Sequence, residues 1–448
     1  MMDFAKINEI IKAEAEALGV KEYEIYVSES SDISVGTLNA EVNAFSSGTM
    51  SGVCLRVIAD GKMGYASSQL TEDEEIKALV SRALANAKAT EKLDGVGIFS
   101  GSESYATLPE SDYQTKDAAE LRKVAKDIAD AMYSAGNNLQ NGTETTALSS
   151  SHTIRIANSY GLNLQCSGGI DAVVAAAVVA EDGAYESAFE VTMLEDSTVL
   201  SEVAEMAVTN AQKKLGAGTV ASGKYNLIIS AKQMRTLLSA FSSAFSAKMA
   251  QTGMSLLAGK EGERIASEII NITDDPMRDG VAVKTNFDAE GVAAYRKSVV
   301  ENGVLKTLLY NRETAKVAGV ESTGNASKAG YSSPVGTSPY AFCIEAGDMS
   351  LEDLFKEADN GIYITELKGL HAGANAITGD FSIESAGFKI VDGKLAGAVK
   401  TFTIAGNFFN LLKDISALSD KVEFSVTGGF TTFGSPAVLV RDMSVAGT

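Results

Sequence analysis

Few side chains in this 448-residue sequence have the types and spacing that catalysis demands. The histidines are His152 and His371, and there are no others. A zinc hydrolase needs two or three His, Cys or carboxylate ligands that converge, often two His on one helix with a Glu base between them. These two stand in different halves, and neither has a Glu beside it in a helical frame. His152 follows Ser149–Ser151 and reads as a strand histidine. His371, within GLHAGANAITGDFS, reads as a residue that shapes a turn-rich loop. No G-x-S-x-G elbow offers a nucleophilic serine. No G-x-G-x-x-G follows a strand, and no G-x-x-x-x-G-K-[ST] phosphate loop occurs.

The carboxylates are the remaining candidates. Asp274, Asp275 and Asp279 form an acidic group suited in type to a hard cation, but Pro276 and Gly280 among them read as a solvated turn. Asp288 and Glu290 read as turn carboxylates that become site residues only if the fold brings them into a cleft. Asp380 follows Gly379, a residue that lets backbone approach a neighbour closely. The stretch Asn286–Ala326 is dense in Gly, Asn and turn chemistry, yet contains no His, no Cys and no phosphate loop. It reads as a built site region without catalytic side chains.

The elements that must position these residues follow from periodicity. Phe4, Ile7, Ile10, Ile11, Ala15 and Leu18 predict an amphipathic helix over 3–18, ended by Gly19. Strands are predicted at 23–29, 33–38, 51–58 and 62–67, with Asp60-Gly61 as a hairpin turn. Helices follow at 72–91, with Thr71 and Glu74 as a capping box, and at 115–135. Strands are predicted at 143–150, 153–158, 163–167, 172–180 and 185–193, then a helix at 196–215. The first half is therefore α+β, a mostly antiparallel sheet with helices on one side. Gly216–Thr219 and Ser222-Gly223 mark a linker, which divides the chain into domains at 1–220 and 221–448. The second begins with a strand at 225–230 and a helix at 231–250, AKQMRTLLSAFSSAFSAKMA, whose apolar face is Leu237, Leu238, Phe241 and Phe245. Short strands follow, with hairpin turns at Glu301–Gly303 and Asp392-Gly393 and short helices at 312–318, 350–357 and 406–413. This half reads as a β-rich, barrel-like or sandwich domain.

Bulk properties narrow the function classes. The net charge is −20 and the pI about 4.6, with no basic cluster to neutralise phosphates, so nucleic acid is not an expected partner. The nine-residue apolar run Ala172–Ala180 is too short to span a bilayer as a helix, and a membrane is not expected either. Cys54, Cys166 and Cys343 lie in apolar contexts as buried free thiols, as in a reducing compartment. The charged N-terminus lacks the apolar core of a secretion signal, which leaves the cytoplasm as the expected location.

Several separated segments occur in an order that carries a resemblance. They are SLLAGKEGERIAS at 255–267, DDP at 274–276, FDAEGV at 287–292 with Arg296, ENGVLKTLLYN at 301–311, STGNA at 322–326 and GANAITGDFS at 373–382, then IAGNFFNLLKDI and SPAVLVRDMSVAG. The chain resembles the TldD/PmbA family, once described as modulators of DNA gyrase, and within it the PmbA or TldE branch. The resemblance implies a two-domain architecture whose C-terminal part corresponds to the family's metallopeptidase domain. It also implies a cytosolic heteromeric protease acting on extended or unfolded peptides, whose TldD-type subunit carries zinc on a HExxxH helix plus a Cys. The matching helix here is 231–250, where Ser239 to Ala244 read SAFSSA. A Ser/Ala surface neither coordinates zinc nor deprotonates its water.

The resemblance thus makes this chain a zinc-less partner of a TldD-like catalytic subunit. No catalytic residue and no metal or cofactor is expected in the chain itself, and zinc is expected in the partner. Asn325, His371, Asn375, Asp380 and Ser382 are the polar candidates for the wall of a peptide channel, bonding and shaping loops rather than cleaving. Two alternatives remain open. One is a stand-alone peptidase with Asp274, Asp275, Asp288, Glu290 and Asp380 converging on a metal. The other is a homodimeric peptide-binding module.

Overall fold

The computed structural model describes residues 3–91, 96–108, 111, 113–281, 283–426 and 431–447. In the N-terminal half the order is α1 (Phe4–Ala17), β1 (Glu22–Leu38), β2 (Glu41–Ala59), β3 (Lys62–Ser68), α2 (Asp73–Ala89), α3 (Ala118–Ala135), β4 (Glu144–Asn158), β5 (Asn163–Glu181), β6 (Ala184–Met193) and α4 (Leu200–Gln212). The six strands form one antiparallel sheet in the order β3-β2-β1-β4-β5-β6. Strand segments that the sequence separates are continuous. The polar residues 30–32 interrupt the apolar pattern of β1, but Ser30, Ser31 and Asp32 pair with β2 on one side and with β4 on the other. Backbone pairing on two sides, not side-chain burial, carries the strand through.

All four helices cover one face of the sheet, as the α+β reading requires. Alternation along β1 sends Tyr23, Ile25 and Val27 into a core with Ile7, Ile11, Leu79 and Val80 of α1 and α2. Val35, of the same parity, joins Leu121, Ile128, Val203 and Val208 of α3 and α4. The capping box expected at Thr71 and Glu74 does not form. Helix α2 starts later, with Glu72 at its N-cap and no side-chain cap bond. The capping box stands instead on α3, between Asp117 and Glu120.

The C-terminal half contains β7 (Gly223–Ile229), α5 (Ala231–Phe241), a 3-10 turn (Ser242–Phe245), α6 (Ala247–Gln251), β8 (Ile272–Asp274), β9 (Lys297–Glu301), β10 (Val304–Leu305), α7 (Arg312–Ala318), β11 (Ala326–Ser327), β12 (Gly336–Thr337) and β13 (Ala341–Ile344). It continues with α8 (Leu351–Ala358), β14 (Gly361–Lys368), α9 (Leu370–Gly373), β15 (Asp380–Val391), β16 (Lys394–Asn407), α10 (Phe408–Asp414), β17 (Ile415–Leu418), β18 (Glu423–Phe424), β19 (Thr432–Ser435) and β20 (Val438–Ala446). Strands β16-β15-β14-β7-β20 form a sheet that closes on itself where Thr403 and Ile404 pair with Ala446 and Val445. The result is a five-stranded barrel, with β17 attached to β20. A second sheet runs β10-β9-β8-β13-β19-β18.

One core joins the barrel to α5. Met234, Leu237, Leu238, Phe241 and Phe245 pack against Leu227, Ile364, Phe381, Phe402 and Phe408. The Phe241 ring stacks on Phe408 with centroids 4.6 Å apart. Burial of side chains of this size contributes about 1.5–3 kcal/mol each. The single helix expected over 231–250 is broken. Phe245 O accepts from Leu309 N, and Ala247 N donates to Leu309 O. Ser255 Oγ donates to Ala244 O. These tertiary bonds, with Ser246 extended, replace the intrahelical ladder.

Candidate functional site

Helix α5 begins at Ser230, whose Oγ accepts from Gln233 N. Its apolar stripe faces the core, so Lys232, Thr236 and Ser239 fall on the opposite face at helical spacing, with Ser243 following in the 3-10 turn. Thr236, Ser239 and Ser243 are exposed. Lys232 reaches the N-terminal sheet at β6. Its Nζ donates to Phe189 O at 3.0 Å, lies 4.4 Å from the Phe189 ring centre, and stands 3.7 Å from Glu190 Oε2. Arg235 bonds to Phe424 O on β18, and burial lowers its pKa. The open face of α5 is thus flanked by β6 on one side and β18 on another. Beside its C-terminal end lies the 369–382 loop, joined to α5 by the Phe241–Phe381 ring contact at 6.4 Å.

That loop brings together four of the five polar residues proposed from sequence. His371 lies in α9, and His371, Asn375, Asp380 and Ser382 are all exposed. Asn375 Oδ1 accepts from Ile377 N and Thr378 N, and Asn375 N donates to Asp380 O. Asp380 accepts from Asn407 Nδ2 at 3.0 Å. That bond, and one from Thr378, hold the carboxyl below its ordinary pKa. Gly379, at φ 77°, packs where a Cβ would lie 2.9 Å from Asn407 Nδ2. The close approach expected at this glycine is therefore to Asn407.

Asn325 is elsewhere, with no exposed surface. Its Nδ2 donates to Asp274 Oδ2 at 2.7 Å and to Ser338 O at 3.0 Å. Asp274 does not lie in a solvated turn. It ends β8, is wholly buried, and accepts from Tyr340 N at 2.7 Å and Lys297 Nζ at 3.3 Å. The adjacent polar groups divide differently: Asp275 caps Met277 N, and Asp279 is exposed and paired with Lys284.

Asp288 and Glu290 are buried rather than turned into a cleft. Asp288 accepts from the backbone N–H groups of Glu290, Val292 and Ala326. Burial, then the nearby Glu290 carboxylate, push Asp288 up to about 7 against those donors. Glu290 accepts from Arg312 N at 3.0 Å and faces Arg56 Nη1 at 3.5 Å. Arg56, on β2, binds Glu24 of β1 through Nε at 2.8 Å and Nη2 at 2.7 Å. This network ties the N-terminal sheet to the Asn286–Ala326 stretch, whose Phe287, Ala289 and Ala326 pack on Tyr26, Cys54, Ile156 and Cys166. Arg56, Lys232 and Lys297 have no local sequence signal, because their partners are remote in the chain.

The carboxylates therefore do not converge on a metal. The oxygens of Asp274, Asp288 and Glu290 are engaged by cations and amides, and Asp380 stands apart on β15. Among the described residues no group of three His, Cys, Asp or Glu is arranged to hold a metal ion. The open face of α5 supplies hydroxyls, with Thr236 Oγ1 donating to Lys232 O and Ser242 Oγ to Ser239 O. Neutral hydroxyls do not make a zinc site, so this donor set does not fit the metal.

The model for the C-terminal domain of PmbA/TldA metallopeptidases matches residues 222–447, and that for domain 1 matches residues 23–87. The chain belongs to the PmbA/TldD family. An uncharacterized protein of Methanocaldococcus jannaschii is 32% identical, covering 93% of this chain and 94% of its own length. The crystal structure of TldE from Thermococcus kodakarensis superposes with a TM-score of 0.89 at 25% identity, over 98% of this chain and 99% of that one. A Thermotoga maritima protein named as a modulator of a DNA gyrase gives a TM-score of 0.89 at 28% identity, over 99% and 100%. The PmbA/TldD family is a metallopeptidase family. No helix among the described residues is long and apolar enough to cross a membrane.

Proposed function

We propose that this chain is the zinc-less subunit of a cytoplasmic TldD/TldE-type metallopeptidase, pairing with a TldD-like subunit that carries the zinc. The observation that supports this reading is that Ser239 to Ala244, which the resemblance matches to the HExxxH segment of the family's catalytic branch, read SAFSSA, with Ser239 and Ser243 exposed. The helix also gives way to a 3-10 turn at Ser242, inside that segment. In this reading the chain contributes wall and substrate contact, and the partner contributes bond cleavage. The 369–382 loop, with His371, Asn375, Asp380 and Ser382, forms part of the wall beside α5. Asn325 stands apart from that loop, and its role in this reading is to fix the buried Asp274. An extended peptide fits such a wall by main-chain pairing, which tolerates many sequences.

The test is co-expression with a TldD-like subunit, followed by metal analysis and a peptidase assay on the complex and on each chain alone. The expected result is co-purification, with zinc and peptide cleavage confined to preparations that contain the TldD-like chain. Stoichiometric metal together with cleavage by this chain alone would overturn the proposal.

A further inference from the structure

The barrel has two ends. Strands β7 and β14 run parallel, and their C-terminal ends lead to α5 and to the 369–382 loop. Their first residues, with the last of β15, lie at the opposite end. A cavity of about 530 Å³ opens there. That volume falls within the roughly 300–1,000 Å³ of small-molecule sites.

The lining combines both signs of charge. In a chain of net charge −20 it holds two cations, Lys224 and Lys389, and one anion, Asp442. The lysines stand on β7 and β15, with β14 between them. Among the described residues, none of these three side chains has an ion pair or a hydrogen bond. They share one cavity without neutralising one another.

Asp442 stands in a bulge. The register of β20 against β7 shifts between Val440 and Met443, and Asp442 has φ 55°. A bulge re-aims side chains, and Asp is among the few residues that tolerate positive φ. Arg441 beside it pairs with Glu357 of α8 and leaves the Asp442 carboxylate free. Asn226 donates Nδ2 to Ala358 O at 3.0 Å, so its Oδ1 remains an acceptor. The apolar part of the lining is Val220, Ile362 and Ile390, all buried. Tyr225 donates its hydroxyl to Ala221 O at 3.0 Å and holds the 220–221 stretch in place.

A ligand that satisfies this set has a carboxylate for the lysines, an ammonium for Asp442 and Asn226, and an apolar side chain for the floor. A simple anion would meet Asp442 as a like charge. We infer that this end of the barrel binds a zwitterion with an apolar side chain, an α-amino acid or a short peptide. The cavity lies at the far end of the barrel from α5, so the inference does not rest on the reading of the α5 face.

Calorimetric titration of the full chain tests it, with L-leucine, leucyl-leucine, the N-acetyl and C-amide derivatives of each, and sodium acetate. A free zwitterion is expected to bind, and either blocked form at least about tenfold more weakly. Leucine against leucyl-leucine distinguishes a free amino acid from a peptide. Asp442→Asn, which keeps a residue suited to positive φ, is expected to weaken the free and amidated forms but not the acetylated one. Lys224→Gln/Lys389→Gln is expected to weaken the free and acetylated forms but not the amidated one. All three side chains are exposed, so the melting curves are expected to stay unchanged. No binding at roughly millimolar ligand, equal affinity for free and blocked forms, or acetate bound as tightly as leucine would overturn the inference. So would variants that weaken every form alike.

Discussion

Arg56 shows how much of this molecule depends on single buried groups. Its guanidinium sits between Glu24, 32 residues away, and Glu290, 234 residues away. The Arg56 charge is held on despite burial, because two carboxylates face it. Arg56→Met deprives both buried acids of the guanidinium that faces them, leaving only the more weakly placed charges of Lys328 and Arg312. The expected loss is about 3–5 kcal/mol, measured by chemical denaturation. Asp288 gives a different signature. In the folded chain it keeps its proton up to about pH 7, whereas the unfolded residue releases it near its ordinary value of 3.8. The folded state thus binds more protons between those values, and this group's contribution to stability falls as pH rises through the window. The slope reaches about 1.4 kcal/mol per pH unit. Denaturation of wild type and Asp288→Asn across pH 4–7 should show stability curves that differ by this slope. Parallel curves would mean that Asp288 does not titrate in this range.

At the scale of elements, close backbone packing decides more than propensity. Gly64 of β3 lies where a Cβ would come 2.1 Å from Ala83 O and 2.3 Å from Ala87 N of α2. Gly64→Ala must push the helix from the sheet, and a loss of about 1–3 kcal/mol or more is expected in thermal or denaturant unfolding. The capping box of α3 is a milder case. Asp117→Ala frees the Ala119 and Glu120 amides and is expected to cost about 1 kcal/mol in the same measurement. Helix α5 illustrates the opposite order of influence. Its Ala-rich continuation favours helix, yet bonds to Leu309 and Ser255 end it at Phe241. The periodicity of Leu237, Leu238, Phe241 and Phe245 identified the buried face correctly. It carried no information about the break, because the groups that cause it lie outside the segment.

For the molecule as a whole, three lysines hold β6 to the C-terminal half. Lys400 pairs with Glu186, Lys232 with Glu190, and Lys214 with Glu366 and with Ser187 O. Partly exposed pairs of this kind contribute up to about 1 kcal/mol each, so global melting of Lys214→Ala/Lys232→Ala/Lys400→Ala should change little. Hydrogen exchange along β6 should nevertheless rise, because these side chains anchor the edge strand to the barrel. Unchanged β6 protection in the variant would show that strand pairing alone secures it.

The sequence by itself determined much of the architecture. Alternating apolar residues set which face of β1 is covered, the turns at Asp60-Gly61, Asn302-Gly303 and Asp392-Gly393 placed hairpins, and the short helix at 312–318 was legible from local pattern. The ordered segments from SLLAGKEGERIAS to SPAVLVRDMSVAG pointed to the PmbA/TldD family. These features are local, or repeat at a fixed period, so they survive in one dimension. Only the tertiary structure decided that Asp274, Asp288 and Glu290 are buried struts, that Asn325 stands apart from the 369–382 loop, and that Lys224, Lys389 and Asp442 line one cavity. A carboxylate in a turn motif has one sequence signature whether it faces water, a cation or a buried amide. Its chemistry is set by burial and by partners that the chain brings from hundreds of residues away.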